Sequence, residues 1–396
     1  MSVVVELGAV EGFILDDPVA GVLDNTEYTL GGVVWKDITS RMFGVTTSRG
    51  KNRDLDRFSA GKLTVSLNNN DRAFDPLYAA SPYAGAIVPR RELRLTVDGE
   101  RVITAKVDDW DYDYVPKKSN AVVTAIDDMF LLARQKLTAV TATPQLSGAR
   151  VSAVLNMNGV KWPADLRSID VGQSVLGADV FDGNALSYLQ TVADSEQGLL
   201  FVGKDGDLVF RDRFDATPTS GSVTEFADDG SGIEFQLTSV NYGSELLYNE
   251  AIVHSDVGTS TANNSRSQIS YGVSSYELNT LVSTTDQLQN LADYLVQKFG
   301  DPEYRFESIS VNLNSLSADE KAEMLGLEIG DICLVTMTPN NLGAAISQYA
   351  QIIKVGHKIQ RDRKHDMYLS FASLDWTFLV LDDAVFGTLD NNYLAF

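Results

Sequence analysis

The sequence has 396 residues with 44% hydrophobic and 22% charged content, as in ordinary globular proteins, and is long enough for two or three domains. Its net charge of −22 argues against an outer surface that grips nucleic acid, which would need clustered lysine and arginine. A single cysteine excludes an intrachain disulfide, three histidines leave little material for a zinc site, and no apolar run is long enough to predict a membrane span.

The two ends of the chain carry similar segments. Residues 15–25 read LDDPVAGVLDN and residues 381–391 read LDDAVFGTLDN, with eight of eleven positions identical. Paired aspartates around a central glycine predict short strands joined by tight turns. We expect two equivalent β-rich clips that bind partner surfaces through a shared set of leucine, aspartate and glycine residues. These residues are Leu15, Asp16, Asp17, Gly21, Leu23, Leu381, Asp382, Asp383, Gly387 and Leu389.

Two other interpretations of these end repeats stay open. Asp16, Asp17, Asp24 and their counterparts could bind calcium, although their spacing does not fit an EF-hand loop. Alternatively, the segments are unrelated terminal hairpins whose turn residues have converged.

Residues 33–125 are rich in predicted strands. Residues 62–67 alternate polar and apolar side chains, which predicts a half-buried strand that the Asn-Asn-Asn-Asp sequence at 68–71 ends. Asp98-Gly99 predicts a hairpin turn, and Asp127 is expected to cap a short helix.

Residues 108–113 read DDWDYD and suggest the carboxylate cluster of an enzyme. Trp110, Tyr112 and Tyr114 alternate with the acids, however, so the pattern favours a strand with one aromatic and one acidic, solvated face.

Residues 139–235 read as a small α+β insert. A short helix is expected near Val151 and Leu155, and Asn184 is expected to cap a second helix. The apolar runs on either side of residues 204–207 then predict a hairpin.

The second half contains the best-defined predicted helices. Thr284 with Gln287 and Ser317 with Glu320 have the spacing of capping boxes. Residues 258–267 are predicted to be the most flexible part of the chain, between strands at 246–253 and 268–271. Further strands are expected at residues 308–313, after the Gly330-Asp331 turn, and at 350–355 and 367–374.

Two parts of the sequence resemble a known family. The first is RGKNRDLDRFSAGKLTVSLNNNDRAFDPLYAASPY at residues 49–83. The second begins SYGVSSYELNTLVSTTDQLQNLADYLVQKFGDPEYRFESISVNL at residues 270–313 and continues with LGLEIGDICLV, YAQIIKVGHKI and YLSFASL. In order and content these segments resemble the phage tail hub family, and most closely the minor tail proteins of actinobacteriophages.

This resemblance implies a mainly β fold with α+β inserts. It implies a first hub β-barrel at 33–138, the insert at 139–235, and a second β-barrel with a packing helix at 236–375. The end repeats add an N-terminal arm at 1–32 and a C-terminal arm at 376–396. Both arms are expected to be short and β-rich.

The implied function is structural. Three copies would form a homotrimeric ring at the virion tail tip, assembled in the host cytoplasm, and two barrels per chain would match hexameric tube proteins. Implied partners are a tail tube or distal tail protein, the tape measure protein and peripheral tail-tip proteins. The negative charge fits a lumen through which phage DNA passes without specific binding.

We predict no enzyme activity, cofactor or metal, because the sequence contains no catalytic motif with its expected context. Cys333 lies in an apolar run that favours a core position, and His357 is expected to be a strand residue. The alternatives are a receptor- or carbohydrate-binding tail protein, with exposed aromatics that stack on sugars, and a less favoured cell-wall-degrading enzyme.

Overall fold

The computed structural model describes residues 1–9, 18, 21, 22, 33–115, 118–216 and 223–374, and it confirms a mainly β fold with α+β parts. The strands are β1 (Val3–Ala9), β2 (Val34–Asp37), β3 (Met42–Gly50), β4 (Ser59–Asn68), β5 (Glu92–Val97), β6 (Glu100–Val115), β7 (Lys118–Ile126), β8 (Lys136–Ala142), β9 (Gln145–Leu146), β10 (Arg167–Ile169), β11 (Val175–Leu176), β12 (Asp179–Asn184), β13 (Leu199–Val202), β14 (Leu208–Arg211), β15 (Thr224–Ala227), β16 (Leu237–Tyr242), β17 (Glu250–Ser255), β18 (Gly258–Asn263), β19 (Ser275–Asn279), β20 (Tyr304–Asn312), β21 (Ile332–Met337), β22 (Ile346–Gln360) and β23 (His365–Ser373). The helices of at least six residues are α1 (Met129–Arg134), α2 (Ser147–Leu155), α3 (Ala185–Glu196), α4 (Ser265–Tyr271), α5 (Thr285–Phe299) and α6 (Ala318–Gly326).

One long sheet contains strands from both halves of the chain. Its order is β16-β20-β23-β22-β3-β4-β7-β6-β5-β1-β2, and β21 and β15 extend it beside β22. The halves meet where β22 pairs antiparallel with β3, with Lys354 opposite Gly50 and Gln360 opposite Gly44. We call this pairing the seam. Among the described strands the sheet remains open, so two separate closed barrels stay a prediction.

Alternating side chains give the long sheet one buried face. In β4, for example, Leu63, Val65 and Leu67 are fully buried, while Lys62 on the other face is exposed. Because successive side chains point to opposite faces of a strand, this pattern fixes which face covers the core.

The insert lies between the two halves and comprises β8 to β14 with α2 and α3. Its helices pack beside the β10-β14-β13 sheet, and the Asn184 side chain accepts a hydrogen bond of 2.8 Å from the Ser187 N–H as the cap of α3. β15, which falls inside the predicted insert range, pairs with β21 and thus joins the long sheet.

A small unit of β17, β18, α4, β19 and α5 has its own core. The sheet order is β18-β17-β19, and Leu288, Leu291 and Leu295 of α5 pack against Ala251 and Val253 of β17. The predicted packing helix therefore covers this small sheet, because its apolar face meets β17 and β18.

Two predictions in this region are wrong. Residues 258–267 form β18 and the start of α4, and residues 268–271 are helical. The small polar residues of this segment predict no regular structure. It is ordered by the backbone pairing of β18 with β17 and by the Asn264 cap, whose side chain accepts from the Ser267 N–H at 3.1 Å.

Candidate functional site: a charged loop where four parts of the chain meet

The loop at residues 49–58 begins at the end of β3 and leads to β4; we call it the junction loop. It belongs to the first of the two segments whose resemblance to a known family is described above. Gly50 starts it with φ of +121°, a conformation that favours glycine. The Lys51 N–H then donates to the carbonyl of Ile353 at 2.9 Å, which ties the loop to β22.

Arg49 connects the first half to the second half and to the insert. Its Nη1 donates to Oε1 of Glu328 at 2.7 Å and to the carbonyl of Val202 at 3.4 Å, and its side chain is only 4% exposed. Glu328 also accepts from the Lys204 N–H at 3.1 Å. One carboxylate therefore links β3 to the turn after β13.

The junction loop reaches the small unit through a second ion pair. Asp54 accepts from Nζ of Lys298 on α5 at 2.8 Å, and Lys51 lies 3.9 Å from the same carboxylate. Burial opposes both charges, but the two lysines outweigh it and lower the pKa of Asp54. The pKa of Lys298 is raised by Asp54 in the same way, despite burial. The pair is thus charged at neutral pH.

Two further contacts complete the junction. Nε and Nη2 of Arg57 donate to Oδ2 of Asp194 on α3, at 2.9 and 2.6 Å. Arg53 pairs with Glu245, before β17, at 2.6 Å, but both side chains are about half exposed, so this pair contributes little. The arrangement joins charges of opposite sign across four parts of the chain.

A buried carboxyl lies beneath the junction loop. Asp127 accepts from the Gly61 N–H at 2.5 Å and from the Met129 N–H at 2.9 Å, which fixes the start of α1. Burial raises the pKa of Asp127 to about 7, against the opposing effects of these bonds and of Arg49. The start of α1 is one residue later than predicted: Asp128 is its N-cap, without a side-chain cap bond, and Asp127 just before it accepts from the Met129 N–H.

The aromatic face of β6 is occupied by its own neighbours. Tyr83, Phe74, Trp110, Tyr112 and Tyr114 form a row of rings in which successive centroids lie 5.0, 5.8, 6.5 and 6.0 Å apart. The aspartates at 109, 111 and 113 are exposed on the other face, as the alternation predicts. The rings of Phe74, Trp110 and Tyr112 pack among themselves, while Tyr114 at the end of the row is 57% exposed.

Of the residues predicted in the end repeats, the structure describes only Gly21, which lies in a turn. Leu15, Asp16, Asp17, Leu23, Leu381, Asp382, Asp383, Gly387 and Leu389 lie outside the described residues. The attachment points are described: Ala9 at the end of β1 pairs with Val34 of β2, and the Leu374 N–H donates to the carbonyl of Tyr349 at 3.1 Å. Chain positions 9 and 34 are therefore register partners.

Cys333 is fully buried and burial raises the pKa of its thiol, as a core position requires. Across the described ranges no three His, Cys, Asp or Glu side chains cluster in a way that could hold a metal ion. In the same ranges no helix has the length and apolar character needed to cross a membrane.

The sequence reasoning did not identify Arg49, Glu328 or Lys298 as a connected set. A signal for Arg49 was present: it follows Val45 and Thr47 at the buried positions of β3, where a charged side chain requires a partner. No local pattern could identify that partner, because Glu328 lies 279 residues away.

No family model matches the sequence, and no curated protein matches it. The structure is similar to the tail protein from Neisseria meningitidis MC58, with a TM-score of 0.60 and 10% identity over 94% of this chain and 96% of that chain. It is similar to the prophage MuSo2 43 kDa tail protein from Shewanella oneidensis, with a TM-score of 0.57 and 14% identity over 94% and 97%. It is also similar to prophage tail protein gp18 from Listeria monocytogenes EGD-e, with a TM-score of 0.52 and 12% identity over 94% and 95%. The chain therefore has the fold of these tail proteins over nearly its whole length.

Proposed function

We propose that the protein is a structural subunit of a long-tailed phage, located in the virion tail. The observation that carries this proposal is the fold shared with the Neisseria tail protein across 94% of this chain and 96% of that one. The junction loop fits this proposal, because its ion pairs join four parts of the chain within one subunit.

The more detailed proposal is a homotrimeric hub at the tail tip. Each chain would contribute two similar units, the strands on either side of the seam, and three chains would supply six faces to a hexameric tube. The two units would correspond to the barrels at 33–138 and 236–375, with the insert at 139–235 between them. The charge of −22 would keep phage DNA from adhering as it passes.

In this arrangement a tail tube or distal tail protein would lie above the ring, and the tape measure protein would end at it. Peripheral tail-tip proteins would bind the arms at 1–32 and 376–396 through the end repeats. Replacing residues 10–33 by Asn-Gly, or ending the chain at residue 375, should leave the ring intact and remove peripheral proteins from particles.

Light scattering after gel filtration tests the trimer. The expected mass is three times the 43.2 kDa of one chain, and reconstruction of the tail tip should show three copies in one ring. A protein that stays monomeric at high concentration, together with a tip reconstruction that contains one or six copies, would contradict the ring. Absence of the protein from purified virions would contradict the tail location itself.

A further inference from the structure

Two of the three histidines form a buried pair at the seam. His357 in β22 is 5% exposed and His365 in β23 is 0% exposed, and Nδ1 of His357 lies 2.9 Å from Nε2 of His365. The backbone N–H of His357 also donates to Oγ1 of Thr47 in β3 at 3.1 Å. The pair therefore lies where β22 is hydrogen-bonded to β3 on one side and to β23 on the other.

The hydrogen bond between the two rings limits how many protons the pair can hold. It needs one N–H and one bare nitrogen at the contact, so the first added proton can be carried only by the outer nitrogens. One of these, Nδ1 of His365, is buried and has no hydrogen-bond partner. A second added proton would place two N–H groups against each other at 2.9 Å, which breaks the bond.

Charged groups from the surrounding elements oppose a proton on His357. It faces Arg49 of β3 and Lys204 after β13, both cations, and burial together with His365 and these cations holds its pKa well below the ordinary value. The buried carboxyl of Asp127 in turn faces Arg49.

His365 has a more mixed environment. Asp366 of β23 and Asp98 of the β5–β6 turn favour a proton there, while Lys321 of α6 opposes it. Burial dominates and lowers the pKa of His365 to about 4.

We propose that the His357–His365 pair is a pH-sensitive latch, whose protonation opens the seam and uncouples the two halves of the long sheet. The proposal does not depend on the tail function and concerns the chain by itself.

The direction of the effect follows from which state binds protons. Above pH about 6.5 the histidines are neutral whether the seam is closed or open. Below that value the histidines are protonated in the open state but stay neutral in the closed pair, down to about pH 4 for His365. Within this window the ratio of open to closed seam rises by up to about tenfold per pH unit for each histidine.

Asp127 titrates in the opposite direction, since a raised pKa makes the folded state hold its proton as the pH falls. Global melting would mix the two effects. Local hydrogen exchange separates the two effects, because Asp127 bonds Gly61 of β4 whereas the histidines lie in β22 and β23 of the same sheet.

The test is hydrogen–deuterium exchange with mass spectrometry on the full chain at about pH 7.5 and about pH 5, corrected for the intrinsic rate. The matched variants are H254Q, which changes the partly exposed histidine bonded to Thr259, and the double variant H357L/H365M, which replaces the pair by apolar side chains. In the parent protein and in H254Q, exchange in residues 44–50 and 354–369 should rise at least about tenfold at low pH, with little change in β4–β7. The double variant should lose this rise.

An equal rise in β4–β7, or a seam that stays closed at about pH 5 in the parent protein, would overturn the latch. The same conclusion would follow if a folded double variant kept the selective rise. If the double variant fails to fold, the comparison of the seam with β4–β7 in the parent protein and H254Q still decides the matter.

Discussion

At the scale of single residues, two ion pairs connect separate parts of the described chain. Arg49 with Glu328 and Asp54 with Lys298 are bonded at 2.7 and 2.8 Å, so the desolvation of each charge is offset by its neighbour. Such pairs contribute little to net stability but are costly to break. They fix which surfaces meet.

Removing one partner of the Arg49–Glu328 pair should cost much more stability than the intact pair contributes. Arg49→Met leaves the Glu328 carboxylate short of its main partner, and we expect a loss of about 2–3 kcal/mol in the free energy of unfolding. The matched control is Arg53→Met, whose pair with Glu245 is about half exposed and should cost less than about 1 kcal/mol. Urea unfolding followed by tryptophan fluorescence measures both, and equal losses would contradict a special role for Arg49.

At the scale of elements, the sequence predicted helix ends and tight turns well. The cap at Asn184, the Thr284 cap of α5, the full capping box of Ser317 with Glu320, and the Asp98-Gly99 hairpin are all confirmed. These features depend on hydrogen bonds within a few residues, which a local pattern can encode. β18 could not be predicted in this way, because pairing with β17 decides its structure, whereas α4 has a local cap at Asn264 that was missed.

The start of the junction loop allows an element-scale prediction. A Cβ at Gly50 would overlap the carbonyl oxygen of Ile353 and lie 2.6 Å from Cα of Lys354, at a φ of +121°. Gly50→Ala should therefore weaken the seam by about 3 kcal/mol or more.

Gly343→Ala is the control, since φ is +85° there but a Cβ meets nothing within 4 Å. It should cost only about 1 kcal/mol from backbone strain. Thermal unfolding compares the two variants, and a Gly50→Ala protein as stable as Gly343→Ala would show that β22 can shift away from the loop.

At the scale of the whole molecule, the mainly β class and the tail-protein fold were predictable through a resemblance spread over both halves of the chain. It did not give the single long sheet. The seam joins residues that are about three hundred positions apart, and neither β3 nor β22 carries a pattern that names its partner. The alternation of side chains along a strand shows which face is buried, but it does not show which strand pairs with it.

The charge of the whole molecule gives a prediction that rests on the proposed ring. Each chain carries −22, so neighbouring chains repel one another at low salt. Raising NaCl from about 0.03 M to about 0.3 M shortens the screening length and should strengthen trimer formation several-fold. Sedimentation at several protein concentrations measures this, and weaker association at high salt would instead indicate an interface dominated by ion pairs.

The seam also determines when this protein can finish folding. The edge of β3 that receives β22 is complete once residue 50 has left the ribosome, yet its partner is synthesised about three hundred residues later. Pairing over such a separation is slow, and an uncovered strand edge is a template for pairing with other chains. The order of synthesis therefore makes the nascent first half the aggregation-prone species, and expression of residues 1–138 alone should require a chaperone or a covering strand supplied in trans.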